Sequence, residues 1–237
     1  MNEPLGSRIV KPTPLTWLVI SASVSAIAFS AGFALISYSS LPSLLPVHFM
    51  RNGYPDGWQY KTYARVLTPV FVQMALVVTL GAVGALLLSR SHGSHDTHAP
   101  DVKAASAAAE GIALMALIWV AFQAYAGFAL IHMWQRERAG LGAWYSYFEL
   151  AGLLLTFGVV ARTRGQIGRP LPRPFVAEHW RFGQLYRNPA DPALFVPTRN
   201  GLRWTLNFGR PVAVALMGVI LGIGVIGPTF ILGLLLR

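Results

Sequence analysis

Four residues of this chain carry side chains that could act together on a metal ion, a proton or a polar ligand: His48, Asp56, His132 and Glu149. Imidazole nitrogens and carboxylate oxygens are the donors of zinc sites and of proton relays. His48 and Asp56 fall in the polar stretch 41–61, LPSLLPVHFMRNGYPDGWQYK. His132 closes one long apolar run, and Glu149 lies about six residues into the next, roughly 9 Å deep at a helical rise per residue. An ionisable group within an apolar run is a functional candidate by default. The plainer role for Glu149 is a pairing with an arginine or a backbone N–H near the membrane boundary. A second set, His92-x-x-His95-Asp96-x-His98, has spacing that could hold a divalent metal, but nothing in its polar surroundings orients the rings. It reads as solvated linker that meets metal only incidentally. The chain has no cysteine, which excludes disulfides and thiolate sites. No cofactor is expected, and a divalent metal is the one these donors could take.

The elements that must position these residues are membrane spans. The chain has 237 residues, 54% of them hydrophobic and 12% charged. Its mean hydropathy is +0.50, and a soluble domain carries about twice that charge. Apolar runs at 15–38, 66–88, 107–134, 143–161 and 211–236 are each long enough to cross a bilayer core of ~30 Å. The expected fold is therefore an all-α integral membrane bundle of five transmembrane helices, with a small cytoplasmic β-hairpin domain before the last helix. A cleaved signal peptide competes for the first run, but the run is long for one. Small residues at Ser21/Ser25, Ala22/Ala26 and Ala26/Ser30 favour close packing of that helix.

The organisation that follows is a cytoplasmic N-terminus (1–14), a two-span domain with a cap (15–90, cap 41–61) and a flexible His-containing linker (91–106). After these come a hairpin of spans three and four (107–161), a Pro/Arg-rich segment (162–210) and the fifth span (211–237). In the cap, Pro42 and Pro46 oppose helix, while Asn52-Gly53 and Pro55-Asp56-Gly57 are turn signals. Trp58, Tyr60 and Tyr63 are rings of the kind found at a membrane boundary. In the segment 162–210, Asn200-Gly201 between two β-prone runs predicts a hairpin. Its aromatics suit a fold that rests against the spans or the lipid interface. Trp180, Trp204, Arg181, Arg187, Arg199 and Arg203 are its candidate contacts to a protein partner or to lipid.

Two resemblances attach to these segments. Leu45-Pro46-Val47-His48-Phe49, Gly53, Pro55-Asp56-Gly57-Trp58 and Lys61 resemble the N-terminal domain of SdpI-type bacterial immunity proteins, over roughly residues 15–90. The resemblance implies a two-span membrane domain in a protein that guards against a secreted peptide toxin and holds a repressor at the membrane. The second membrane domain of those proteins is not recognisable here. Trp180, Gly183, Tyr186, Asn188-Pro189, Asp191-Pro192, Phe195-Val196-Pro197 and Trp204-Thr205-Leu206-Asn207-Phe208 resemble a second bacterial domain without assigned activity.

With the N-terminus in the cytoplasm, the inner segments hold thirteen Lys and Arg against six outside, nine of the thirteen being arginines of 162–210. That asymmetry favours N-inside. The cap is then outside and the arginine-rich segment inside. The formal net charge of +10 sits in loops beside spans, where it sets orientation and meets anionic lipid rather than nucleic acid. The chain shows no His-Glu-x-x-His, no Gly-x-Ser-x-Gly and no phosphate-binding glycine loop. The expected function is a non-enzymatic bacterial inner-membrane protein: a sensor, an immunity-like factor or an accessory subunit. Its partners would be the bilayer, a protein or a second copy, and a peptide or small ligand at the outer face. The competing reading is a metal- or proton-dependent membrane enzyme or transporter that uses the His/carboxylate set.

Overall fold

The computed structural model describes residues 10–50, 55–89, 100–136, 140–141, 144–170, 174–219 and 221–222. Helices dominate: α1 (Pro14–Ser37), the single turn α2 (Tyr63–Val66), α3 (Thr68–Leu88), α4 (Pro100–Gln135) and α5 (Trp144–Ile167). Three antiparallel two-stranded hairpins accompany them: β1 (Leu44–Phe49) with β2 (Pro55–Tyr60), β3 (Trp180–Arg181) with β4 (Leu185–Tyr186), and β5 (Phe195–Pro197) with β6 (Trp204–Leu206).

Four helical stretches are long and apolar enough to cross a membrane: Pro14–Ser40, Thr68–Leu88, Val102–Gln135 and Trp144–Ile167. Their apolar side chains point largely outward. Leu18, Phe29, Ile36, Val78 and Phe157 are all exposed. Outward apolar surface on this scale is at rest only in lipid, which marks a membrane protein. The expected fifth span is helical over 211–219 and 221–222, and residues 223–237 lie outside the described residues. The described structure therefore holds four candidate spans, not five.

Two other expectations change. The linker expected over 91–106 ends earlier, because α4 already begins at Pro100. Proline is well suited to a first helical position, alanine has the highest helix propensity, and Ala104 and Ala105 are fully buried. In α1, Ser21, Ala22 and Ser25 are exposed, whereas Ala26 and Ser30 are half-buried; the buried stripe is Thr16, Val19 and Ser23, then Ala34 and Ser37. Hydropathy alone does not fix which face of so apolar a helix meets its neighbours.

The chain forms two compact units. The first comprises residues 15–80 and 113–160. Its core joins Ala34, Leu41, Leu45, Val66, Ile131, Met133 and Trp134. Gln73, fully buried, ties three helices together: its Nε2 donates to Ser30 Oγ of α1 (3.1 Å) and to Val120 O of α4 (2.9 Å). A Cβ on Gly127 would lie 3.2 Å from the Pro69 ring, so α3 and α4 approach closely there.

The second unit comprises residues 1–14, 81–112 and 161–237. Its core is Val83, Leu87, Leu88, Ala109 and Leu216, with Phe195 and Leu206 of the β5–β6 hairpin packed against it. The hairpin expected around Asn200-Gly201 is this one, with Phe195 opposite Leu206 and Pro197 opposite Trp204. It rests on helix, which supplies the apolar support that an isolated hairpin lacks in water.

Candidate functional site

The cap in the first unit is a built platform. β1 and β2 pair from Leu44–Tyr60 to Phe49–Pro55, with the register shifting on both sides of His48. Such irregularity accommodates Pro46, which has no N–H to give to a ladder. Lys61 fastens the base. Its Nζ donates to Tyr38 O (3.0 Å) and Leu41 O (2.8 Å), two carbonyls at the end of the first helix, and lies 4.7 Å from the centroid of the Tyr38 ring. Tyr63 stacks on that same ring at 3.9 Å. Trp134 Nε1 donates to Pro46 O (3.0 Å), and Gln135 Nε2 to Ser40 Oγ (2.8 Å). Leu45 is the fully buried plug of the hairpin.

The outer features of this platform are polar and aromatic. His48 Nδ1 lies 2.5 Å from Asp56 Oδ1, with the His48 side chain 71% exposed. Gly57 faces His48 across the strands, and a Cβ there would come within 3.0 Å of His48 Cβ. A glycine at 57 thus leaves room for the His48 side chain against Asp56. Trp58 and Tyr60 are exposed beside the pair.

His132 and Glu149 lie elsewhere. His132 packs among rings, edge-on to Phe128 at 4.2 Å and 6.3 Å from Phe33. Glu149 is exposed on α5. Among the described residues, no three His, Asp or Glu side chains gather closely enough to hold a metal. His92, His95 and His98 lie outside the described residues. The structure therefore joins His48 to Asp56 and leaves His132 in an aromatic cluster.

A charged pair that the sequence reading did not single out lies in the second unit. Glu110, 5% exposed, accepts a hydrogen bond from Thr13 Oγ1 (2.5 Å) and pairs with Arg162 Nη2 (2.7 Å). Arg162 also reaches Gln166 Oε1 at 3.3 Å. A lone Glu in an apolar run was the available signal; its partner, about fifty residues away, was not legible. Beside it, Gly111 meets Thr163 so closely that a Cβ would overlap its Oγ1.

The 174–210 module is held by Asn207, which is fully buried. Its Oδ1 accepts from the N–H of Asn188 (3.0 Å) and Gly209 (2.9 Å). Its Nδ2 donates to the carbonyls of Asn188 (2.9 Å), Asp191 (3.1 Å) and Ala193 (3.2 Å). Asp191 in turn accepts from Tyr186 Oη (3.1 Å) and Ala193 N (2.9 Å). Trp204 Nε1 donates to Gly168 O at 3.1 Å. Trp180 stacks on Phe175 (6.4 Å) and meets Tyr186 edge-on (5.4 Å), and Arg199 lies over Phe175 (4.7 Å). Arg181, Arg187, Arg199 and Arg203 are all exposed.

Comparison with known families returns two matches, one on each of these features. Residues 26–72, which contain the cap, match a domain of unknown function, DUF1648, the domain found in SdpI-like proteins. Residues 189–214, which contain Asn207, match a family of unknown function, DUF5808. No curated protein and no solved structure matches the chain.

Proposed function

We propose that the chain is a non-enzymatic bacterial inner-membrane protein, a sensor or immunity-like factor or an accessory subunit of a membrane complex. Its N-terminus lies in the cytoplasm, its cap is the outer, ligand-facing surface, and the basic 162–210 segment is its cytoplasmic, partner-facing surface. The observation that carries this reading is the construction of the cap. Lys61, Trp134 and Leu45 fix a hairpin that leaves His48, Asp56, Trp58 and Tyr60 facing outward. A platform anchored at its base, with exposed rings and one polar pair, suits recognition of a peptide or small amphipathic ligand, because aromatic side chains supply contact area at little entropic cost. The match of residues 26–72 to the domain found in SdpI-like proteins supports the same reading.

Native mass spectrometry of the protein in mild detergent tests it. A bare mass or a simple homo-oligomer supports an autonomous sensor or immunity factor, and co-purifying protein supports an accessory subunit. A stoichiometric metal that is lost on His48→Ala overturns the non-enzymatic reading. Orientation is tested separately: a reporter active only in the cytoplasm, fused to the C-terminus, is expected to be silent, and a bright signal refutes an N-inside chain with five spans.

A further inference from the structure

Phe182 sits where neither the backbone nor the core rewards a phenyl ring. It is 95% exposed, and its φ of +50° is the one positive value of a non-glycine residue among the described residues. It forms the tip of the β3–β4 hairpin with Gly183, whose φ is +71°, and Gln184 N donates to Arg181 O across the turn (3.2 Å). Two successive positive φ values are the signature of a tight hairpin turn for which Asn-Gly is the favoured pair. A bulky side chain there is disfavoured by its own backbone. A ring placed against that preference and left outside the protein has its use in a contact beyond the chain.

The surroundings say which contact. Arg181 and Arg187 flank the hairpin and are exposed, as are Arg199 and Arg203 nearby in the same module. The segment 162–210 holds nine arginines against two acidic residues, Glu178 and Asp191, and Asp191 is engaged inside the module. Leu185 is 43% exposed beside Phe182. The module cannot travel far from the bilayer. It follows the candidate span α5, which ends at Ile167, and precedes the helix that begins at 211. Phe195 and Leu206 pin it to Val83, Leu87 and Leu216.

We propose that the β3–β4 hairpin is a membrane foot: the Phe182 ring inserts at the boundary between headgroups and acyl chains of an anionic leaflet, and Arg181 and Arg187 bind lipid phosphates. Guanidinium matches phosphate with paired hydrogen bonds, and an exposed ring at a surface loop gains its burial from lipid. This rests on the reading of the basic segment as a contact surface and names its partner as anionic lipid.

The chain has no cysteine, so Phe182→Cys gives a single site for a nitroxide label. The whole protein is placed in nanodiscs of phosphatidylcholine alone or mixed with phosphatidylglycerol. Collisions of the label with oxygen, relative to those with a water-soluble nickel chelate, are expected to rise several-fold in the anionic discs. A label as open to the chelate as a free nitroxide in both discs overturns the proposal, as does one shielded only when an acidic protein is added. Phe182→Asn separates folding from lipid contact, because asparagine suits this turn. In that variant the Gln184 amide is expected to stay protected from exchange, while the extra protection of residues 180–187 in anionic discs disappears. Opening of the hairpin in both discs would instead assign the ring a role in folding and overturn the proposal. Ligand binding at the cap is read in the other unit, so failure of the foot and failure of the proposed function are told apart.

Discussion

Replacing Asn207 should unfasten the whole 186–210 loop system while leaving the cap untouched. The side chain is fully buried and makes five hydrogen bonds, all to main chain: two accepted from Asn188 N and Gly209 N, three donated to the carbonyls of Asn188, Asp191 and Ala193. A neutral hydrogen bond contributes about 1 kcal/mol net, and a buried partner left orphaned costs about 1–3 kcal/mol. In Asn207→Ala, water can enter and re-satisfy some of the five, so the expected loss is about 3–5 kcal/mol. Asn207→Leu keeps the volume but excludes that water and should be no milder. Asn207→Asp keeps both accepted bonds but points a carboxylate oxygen at three carbonyls, and should resemble the alanine variant. The assay is hydrogen exchange of the intact protein in nanodiscs. A local loss of about 3 kcal/mol corresponds to roughly hundredfold faster exchange, read at the Asn188 and Gly209 amides and at Phe208, whose N–H is held by Tyr186 O (2.9 Å). Exchange in Asn207→Leu equal to that of the parent protein would refute the reasoning, because the amide would then not be what joins these strands.

Other perturbations follow from the same kind of count. Lys61→Met keeps the stem over Tyr38 but removes the charge-assisted bonds to Tyr38 O and Leu41 O; the cost is expected at about 2–3 kcal/mol, seen as a lower unfolding temperature in detergent, and an unchanged temperature would show that these carbonyls find other donors. Glu110→Ala removes the carboxylate that Arg162 and Thr13 share; because Arg162 is 42% exposed and also reaches Gln166, the expected loss is about 1–2 kcal/mol, and the double variant with Arg162→Ala should cost less than the sum of the two single variants. Additive losses in that cycle would mean the two side chains do not interact. Gly57→Ala puts a methyl group against His48 Cβ and should turn the imidazole off Asp56, visible as a changed His48 ring resonance with the rest of the spectrum retained.

What was legible in the sequence follows from which forces act locally. The apolar runs were plain, because a span needs only length and hydropathy, whereas the early start of α4 at Pro100 goes with alanines that are buried in the fold. The β5–β6 hairpin announced itself through Asn200-Gly201, and Gly201 indeed has φ +68°. The β3–β4 hairpin did not, since its turn is Phe182-Gly183 and no turn rule proposes phenylalanine there. The strands of the cap were hidden for a related reason: Pro46 and Pro55-Asp56-Gly57 read as breakers, and only the paired structure shows them absorbed by an irregular register. Of the candidate site, His48 and Asp56 were named by their residue types, but their contact was not legible, because it depends on the strand register that the paired structure shows. The surroundings of His132 and the pairing of Glu110 with Arg162 depend on contacts between distant segments, which local pattern does not carry.

The two matched regions share a logic that bears on where function can reside. Several of their distinctive polar residues are consumed by the fold: Lys61 holds carbonyls at the end of a helix, Gly57 makes room for His48, Asp191 organises its own turn, and Asn207 bridges three chain segments. Residues so engaged cannot also do chemistry on a ligand without releasing the structure they hold. What remains outward is different in kind: His48, Asp56, Trp58 and Tyr60 on the cap, and, just before the second matched region, Phe182 with Arg181 and Arg187. These are exposed rings and charges on short hairpins, the composition that the proposed contact surfaces need. The proposed ligand contact at the cap and the proposed lipid contact at the module both rest on these outward residues, and each fails with them.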